Sequence, residues 1–438
     1  MRDELIWFAA YTGCLSSLVI FFAFGGITPL RAGTAWIGGQ AQSAAVFFVQ
    51  SITAVEIQNA YHSVQVSVPV TATRNTSKTT SDSTKKVKIL IVPGHQPSSG
   101  GTVFGGVNER DVAYDIADAL AGLLSQNPHY DVMVSRSRTE WNPLLQNYFD
   151  AHMPEIEAFT QSQKAQMQRH LADGSILPAE DQVYHDTAPS QAAYQLYGIN
   201  KWTSDNKYDI TLHLHINDDS KHRSGVAGEY SGFAVYVPDH QYSNAAASYA
   251  IGEALAARLN VYHATSTLPK EDVGVVEDQE LIAIGSNNSA SDAALLIEYG
   301  YIYEPQFQES SIRPVAVADY AYQTYLGLQD FFKDPVTSTF GSISFPYDWT
   351  KVTGKTKEKG PGVYALQEAL HYLGYYPPKG KSFSDCPVSG VARACTRASI
   401  KEYQSARGLP ATGVIGPETS ADLFYDTAKP STPSVTLK

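Results

Sequence analysis

The chain has 438 residues, 43% of them hydrophobic, which is enough for two or three domains with ordinary cores. Its 32 Lys and Arg against 44 Asp and Glu give a formal charge of −12. That balance argues against a nucleic-acid partner, because affinity for a phosphate backbone rests on basic groups displacing counterions.

In chain order, residues 5–30 carry no charge, and Arg31 ends the run. About twenty apolar residues in a helix cross a hydrocarbon core of roughly 30 Å. The run exceeds the apolar core of about 7–15 residues in a signal peptide. Residues 1–31 are therefore expected to be a membrane anchor or signal segment, with cleavage left open. Cys14 reads as an apolar residue of that segment. Residues 71–86 are rich in Ser and Thr and read as a flexible linker.

Residues 87–92, Val-Lys-Ile-Leu-Ile-Val, predict a buried strand ending at Pro93-Gly94. Asn108 is placed to cap a helix carrying Val112, Ile116, Leu120, Leu123 and Leu124, with Asp111 in its first turn. Residues 131–135, 208–215, 232–237 and 293–298 predict further strands, and Ile251, Leu255 and Leu259 mark one face of another helix. A closing helix is expected over 315–332. Strands alternating with helices predict an α/β fold, an open, mostly parallel sheet flanked by helices. Residues 140–195 do not fit a minimal unit and predict an inserted helical subdomain or lid, or else a surface elaboration. Residues 334–360 turn to Pro, Gly, Ser, Thr and Lys, the composition of a second linker, and 361–427 form a small all-α C-terminal domain. Cys386 and Cys395, nine positions apart in a chain with an export segment, are expected to form a disulfide.

Four residues lie at strand ends or at a helix start, where open α/β sheets place their sites. His95 follows the first strand, Glu109 opens the first helix, and His215 and Glu298 end later strands. Two imidazoles and a carboxylate leave one corner of a tetrahedral zinc open, the pattern of a hydrolytic site. A further carboxylate, Glu298, can then handle protons. Singly, each has a plainer reading: a His at a strand end is commonly a hydrogen-bonded surface residue, and a Glu in a first turn complements the helix dipole.

Together these blocks resemble the zinc-dependent N-acetylmuramoyl-L-alanine amidases of amidase type 3. The match runs through Pro93-Gly94-His95, then Gly105-Gly106-Val107-Asn108-Glu109, then His215-Ile216-Asn217, then Ile297-Glu298-Tyr299-Gly300, with Arg136 at the family's basic position. The sequence departs from the pattern at Val92, where the family has Asp, at Gln96-Pro97, where it has a Gly pair, and at His213, where it has Ser. The resemblance implies Zn2+ held by His95, Glu109 and His215, with Glu298 as catalytic base, and cleavage between N-acetylmuramic acid and the L-alanine of the stem peptide. Strand alternation puts His213 on the same face as His215, either beside the ligands or in a structural hydrogen bond. His170, His185, His222, His240 and His263 have no partner spacing and are expected to face solvent.

The last domain is similar to the small helical peptidoglycan-binding domain, through Val363-Tyr364-Ala365-Leu366-Gln367 and Gly416-Pro417-Glu418-Thr419. The implied partners are peptidoglycan and, through the N-terminal segment, a membrane, on the extracytoplasmic side of the envelope. A zinc peptidase acting on the stem peptide and an inactive wall-binding protein are the competing readings.

Overall fold

A computed structural model describes residues 86–428 apart from 180, 181, 186, 220–222, 224, 335–341 and 346. The expected anchor, Cys14, nearly all of the first linker and His222 lie outside the described residues. Among the described residues no helix is long and apolar enough to cross a membrane.

The chain enters on β1 (Val87–Pro93), passes a two-stranded hairpin of β2 (Val103–Phe104) and β3 (Val107–Asn108), and continues into α1 (Glu109–Leu124). β4 (Tyr130–Val134) follows, and then three helices, α2 (Pro143–Ala151), α3 (Met153–Asp173) and α4 (Ser190–Asp205). β5 (Ile210–Asn217), β6 (Ala234–Pro238), α5 (Ala245–Leu259), β7 (Val275–Asp278) and β8 (Ala293–Tyr301) come next. The short α6 (Pro305–Gln308) and the long α7 (Arg313–Phe332) close this part of the molecule.

The six-stranded sheet has the order β4-β1-β5-β8-β6-β7. β4, β1, β5 and β8 are parallel, whereas β6 runs antiparallel to β8 and carries β7 with it. The sheet is thus mixed and mostly parallel.

Strand alternation divides the side chains between two layers. Ile89 and Ile91 of β1, Leu212 and Leu214 of β5, and Leu295 and Ile297 of β8 join the large core under α1, α5 and α7. Leu90 and Val92 point the other way, into a cluster with Leu145 and Phe149 of α2, Ile156 of α3, and Tyr197, Ile199 and Trp202 of α4. Full burial of a side chain of this size contributes roughly 1.5–3 kcal/mol. With Leu145, Phe149 and Ile156 all inaccessible to solvent or nearly so, the inserted helices are bound to the sheet as its second layer. His213, His215 and Glu298 alternate with the large-core residues on their strands, so they face this layer.

Within the expected second linker, several apolar side chains of residues 342–360 are packed away from solvent. Phe345, Trp349 and Val352 are buried, and Trp349 Nε1 donates to Thr427 Oγ1 at 3.1 Å. Three large apolar side chains suffice to anchor a segment that is otherwise polar and Gly-rich. Beyond it, α8 (Pro361–Tyr372), α9 (Ala394–Ala406) and α10 (Pro417–Ala428) form a helical C-terminal region. Its apolar residues continue the core of the α/β part, and Tyr364 of α8 donates to Asp319 of α7 at 3.3 Å. Cys386 and Cys395 form a disulfide with Cα atoms 5.9 Å apart.

Candidate metal centre and catalytic cleft

β1 ends against β5, with the Gly94 N–H donating to the Leu214 carbonyl at 2.7 Å. His95 then takes φ 67°, a left-handed conformation uncommon for a side-chain-bearing residue. Arg136, almost fully buried, holds this turn: Nε donates to the carbonyls of Pro93 and His95 at 3.2 and 3.0 Å, and Nη2 to that of Gly94. Burial, reinforced by the nearby Arg110 charge, pushes the Arg136 pKa down to about 10.

The β2–β3 hairpin returns the chain so that Glu109 enters the site from the first position of α1. Asn108 caps that helix, its Oδ1 accepting from Arg110 N at 3.0 Å. Asp111 makes no return bond to the cap and lies instead 3.8 Å from Arg110 and 3.7 Å from Arg138. The Glu109 carboxylate sits between the two imidazoles, with Oε2 2.8 Å from His95 Nε2 and Oε1 3.0 Å from His215 Nδ1. Two backbone amides, Thr102 N and Ile216 N, also donate to it at 3.0 and 3.3 Å.

One ligand atom from each of His95, Glu109 and His215 lies within 4.8 Å of the others. His95 Nε2 is buried with no well-directed hydrogen bond despite its contact with Glu109. Two nitrogens and a carboxylate oxygen converging in this way suit a divalent cation of the borderline class. Gly94 is part of the fit: a Cβ there would come within 2.5 Å of the His215 ring. Gly94→Ala is therefore expected to displace His215 and lower the metal content of the purified protein severalfold. Elemental analysis reads the result, and undiminished metal would show that the ring yields without cost.

The electrostatics favour metal ligation. Burial raises the pKa of Glu109, but the hydrogen bonds from His215 and His95 and their charges outweigh it and hold the carboxyl below the usual range. Burial, against the opposing bond to Glu109, lowers His215. His213 is pushed down to about 3 by burial and by the His215 charge. Its Nε2 is buried without a hydrogen-bond partner, so this nitrogen makes no structural bond.

Glu298 lies directly opposite His215 on the neighbouring strand, and β5 is irregular just beyond that pair. Adjacent strands are about 4.8 Å apart, so the pairing alone brings a carboxylate beside the strand position of the His215 imidazole. Glu298 Oε2 has no hydrogen-bond partner. Burial first, then the charges of Glu109 and Glu271, raise its pKa well above the ordinary carboxylate range.

Glu298 lines a cavity of about 290 Å³, and His95, His213 and His215 line a second of about 480 Å³. The second is walled largely by apolar residues, among them Ile199, Ile282 and Leu296, and takes Trp141 and Gln195 from the inserted segment.

Sequence reasoning missed Glu271. It is buried, and accepts hydrogen bonds from the hydroxyls of Tyr236 and Tyr301 and from Asn217 Nδ2 at 3.1 Å. It lies in an irregular loop between α5 and β7, where no periodicity marks it. Nor do all the unassigned histidines face solvent. His263 is buried and 2.8 Å from Asp319, and His185 lies on the cleft wall 3.2 Å from the buried Asp278. His240 is 72% exposed. Both buried pairings join residues far apart in sequence, which spacing along one element cannot reveal.

Residues 89–330 match the family described as N-acetylmuramoyl-L-alanine amidase, and residues 359–423 match a peptidoglycan-binding domain family. No curated relative matches the chain. Among solved structures, an N-acetylmuramoyl-L-alanine amidase from Clostridium difficile 630 is 16% identical, with 57% of this chain and 97% of that one covered and a TM-score of 0.35. An N-acetylmuramyl-L-alanine amidase from Mycobacterium smegmatis is 12% identical, with 56% and 97% covered and a TM-score of 0.37. The catalytic domain of an amidase from Bacillus (Paenibacillus) polymyxa is 14% identical, with 57% and 99% covered and a TM-score of 0.34.

Proposed function

The chain belongs to the N-acetylmuramoyl-L-alanine amidase family, and from that premise we propose a zinc-dependent peptidoglycan hydrolase whose ligands are His95, Glu109 and His215 and whose general base is Glu298. The observation that carries the reading is the convergence of the three ligand atoms within 4.8 Å, with Glu298 opposite His215 in the sheet register. When bound, zinc supplies Lewis-acid polarisation of the scissile carbonyl and acidifies a water molecule.

The protein's own groups do the rest. Glu298 accepts a proton from the attacking water and delivers it to the leaving amine of L-alanine as the C–N bond breaks. Burial and the charges of Glu109 and Glu271 raise its pKa, which makes the carboxylate a stronger acceptor for the proton of the water. The buried Tyr236–Glu271–Tyr301 cluster contributes a fixed negative charge behind Glu298, one of the causes of that rise. Meanwhile Arg136 and Gly94 keep His95 and His215 at their stations. Domain boundaries follow the same reading: a catalytic domain over 87–333, with the inserted segment 140–195 forming one wall of its cleft. The peptidoglycan-binding region then holds the enzyme on its polymer and raises the local concentration of scissile bonds. Action lies outside the cytoplasm, where the wall is.

Zinc analysis of the purified protein together with mass spectrometry of digested peptidoglycan tests this. About one zinc per chain and a new amino terminus on L-alanine, with the glycan intact, are expected. New termini within the stem peptide would establish the peptidase reading instead, and protein that binds no divalent metal would end both.

A further inference from the structure

The inserted segment brings a second His-carboxylate pair to the cleft. His185 lies between α3 and α4, and its Nε2 faces Asp278 Oδ2 at 3.2 Å, a close contact in which neither atom has a well-directed hydrogen bond. Asp278 is 1% exposed and ends β7. Its other oxygen, Oδ1, accepts from the backbone amides of Glu280 and Leu281 at 2.7 and 2.8 Å, so the carboxylate cannot turn away from the ring. The ring also packs edge-on against Tyr236, with centroids 5.2 Å apart.

Hydrogen bonds from the neighbouring residue, Gln279, hold the segment in place. Gln279 N donates to Gln182 Oε1 at 2.7 Å, Gln279 Nε2 to the Leu177 carbonyl at 2.8 Å, and Ala179 N to Gln279 Oε1 at 3.0 Å. His185 lines both the cavity that holds His95 and His215 and the one that holds Glu298. Its side chain is 24% exposed. A pair that served only to stitch the loop would not need to stand where the two halves of the catalytic cleft adjoin.

We propose that His185, positioned by Asp278, is a further catalytic residue that donates a hydrogen bond from Nδ1 to the scissile carbonyl oxygen as that oxygen gains negative charge. The hydrogen bond is strongest in the transition state and transfers no proton, so no co-reactant is required. Asp278 acts through His185 by fixing the ring, the office of a carboxylate behind an imidazole. The inference rests on the amidase reading above.

The test compares the parent with His185→Ala, His185→Gln and Asp278→Asn on soluble muramoyl peptide. It also measures the inhibition constant of a phosphinate analogue of the muramoyl–alanine bond. Loss of one such donor costs roughly 100-fold in kcat. His185→Ala is expected to lose about that much with KM and zinc content unchanged, and the inhibition constant should rise by the same factor as kcat/KM falls. His185→Gln, which keeps an N–H, should recover part of the loss. Asp278→Asn retains the Oδ1 cap and should fall between them. A rate unchanged in His185→Ala would overturn the proposal, as would a loss confined to KM or metal content, or an inhibition constant that does not follow the rate. A parent inert on peptidoglycan would sink the amidase reading itself, whereas an active parent matched by His185→Ala sinks only the role of His185.

Discussion

Replacing Glu298 with Gln is expected to lower kcat for stem-peptide release by about 10²–10⁴, the usual contribution of a positioned acid–base group, while binding to insoluble wall polymer is unchanged. The amide keeps the shape of the carboxyl but can neither take the proton of the attacking water nor return it to the amine. The same substitution should stabilise the metal-free protein near neutral pH. Burial and the charges of Glu109 and Glu271 raise the folded-state pKa of Glu298 above its unfolded value. Such a group contributes stability that is present in full below the unfolded pKa and is lost as pH rises through the folded one. Above that range the parent carries three crowded carboxylates and the variant two. Melting curves of chelated protein should therefore show the variant's advantage growing from pH 4 to pH 8. A variant that digests wall as fast as the parent would remove Glu298 from the mechanism, and a variant less stable at pH 8 would show that its charge is compensated by something other than metal.

The second large effect is loss of the metal. His215→Ala should reduce bound zinc from about one per chain to near zero and abolish hydrolysis, because two remaining ligands cannot hold the ion against water. Binding to the folded state alone stabilises by about 2.7 kcal/mol when free metal is 100 times its dissociation constant. A chelator should accordingly lower the melting temperature of the parent and leave that of His215→Ala in place. In the stripped parent, Glu109 remains as the shared acceptor of both imidazoles, with its pKa depressed. A depressed carboxyl contributes stability above its unfolded pKa that is lost as pH falls, so the stripped parent should weaken as acid protonates that carboxylate, below its ordinary value of 4.5. If chelation shifts the melting temperature of both proteins equally, the ion sits elsewhere.

The residues proposed as ligands were legible because each belongs to a short local pattern. Pro93-Gly94-His95 is a strand stop followed by a donor, and Asn108-Glu109 is a cap followed by a first-turn carboxylate. Glu298 was legible for the same reason, directly after the apolar run 293–297, although the strand itself continues to Tyr301. Within the linker expected over 334–360, the burial of Phe345, Trp349 and Val352 was not legible, since three apolar residues count little in a window of Gly, Ser and Lys. His185, Asp278 and Glu271 fall in segments without periodicity, so nothing local distinguishes them from solvated loop residues.

The order of the five longer sheet strands and of the helices that flank them, the alternation of β1, β5 and β8, and the identities of four polar residues after apolar runs or at a helix start are properties of the sequence by itself. They follow from the chain's own periodicities, which depend only on neighbours a few positions away. That His215 stands opposite Glu298, that Arg136 holds the turn before His95, and that His185 meets Asp278 across 93 residues were decided only by the tertiary structure. Those contacts depend on strand register and on which loop lies over which strand end. Both are set by burial of the whole sheet between its two helical layers.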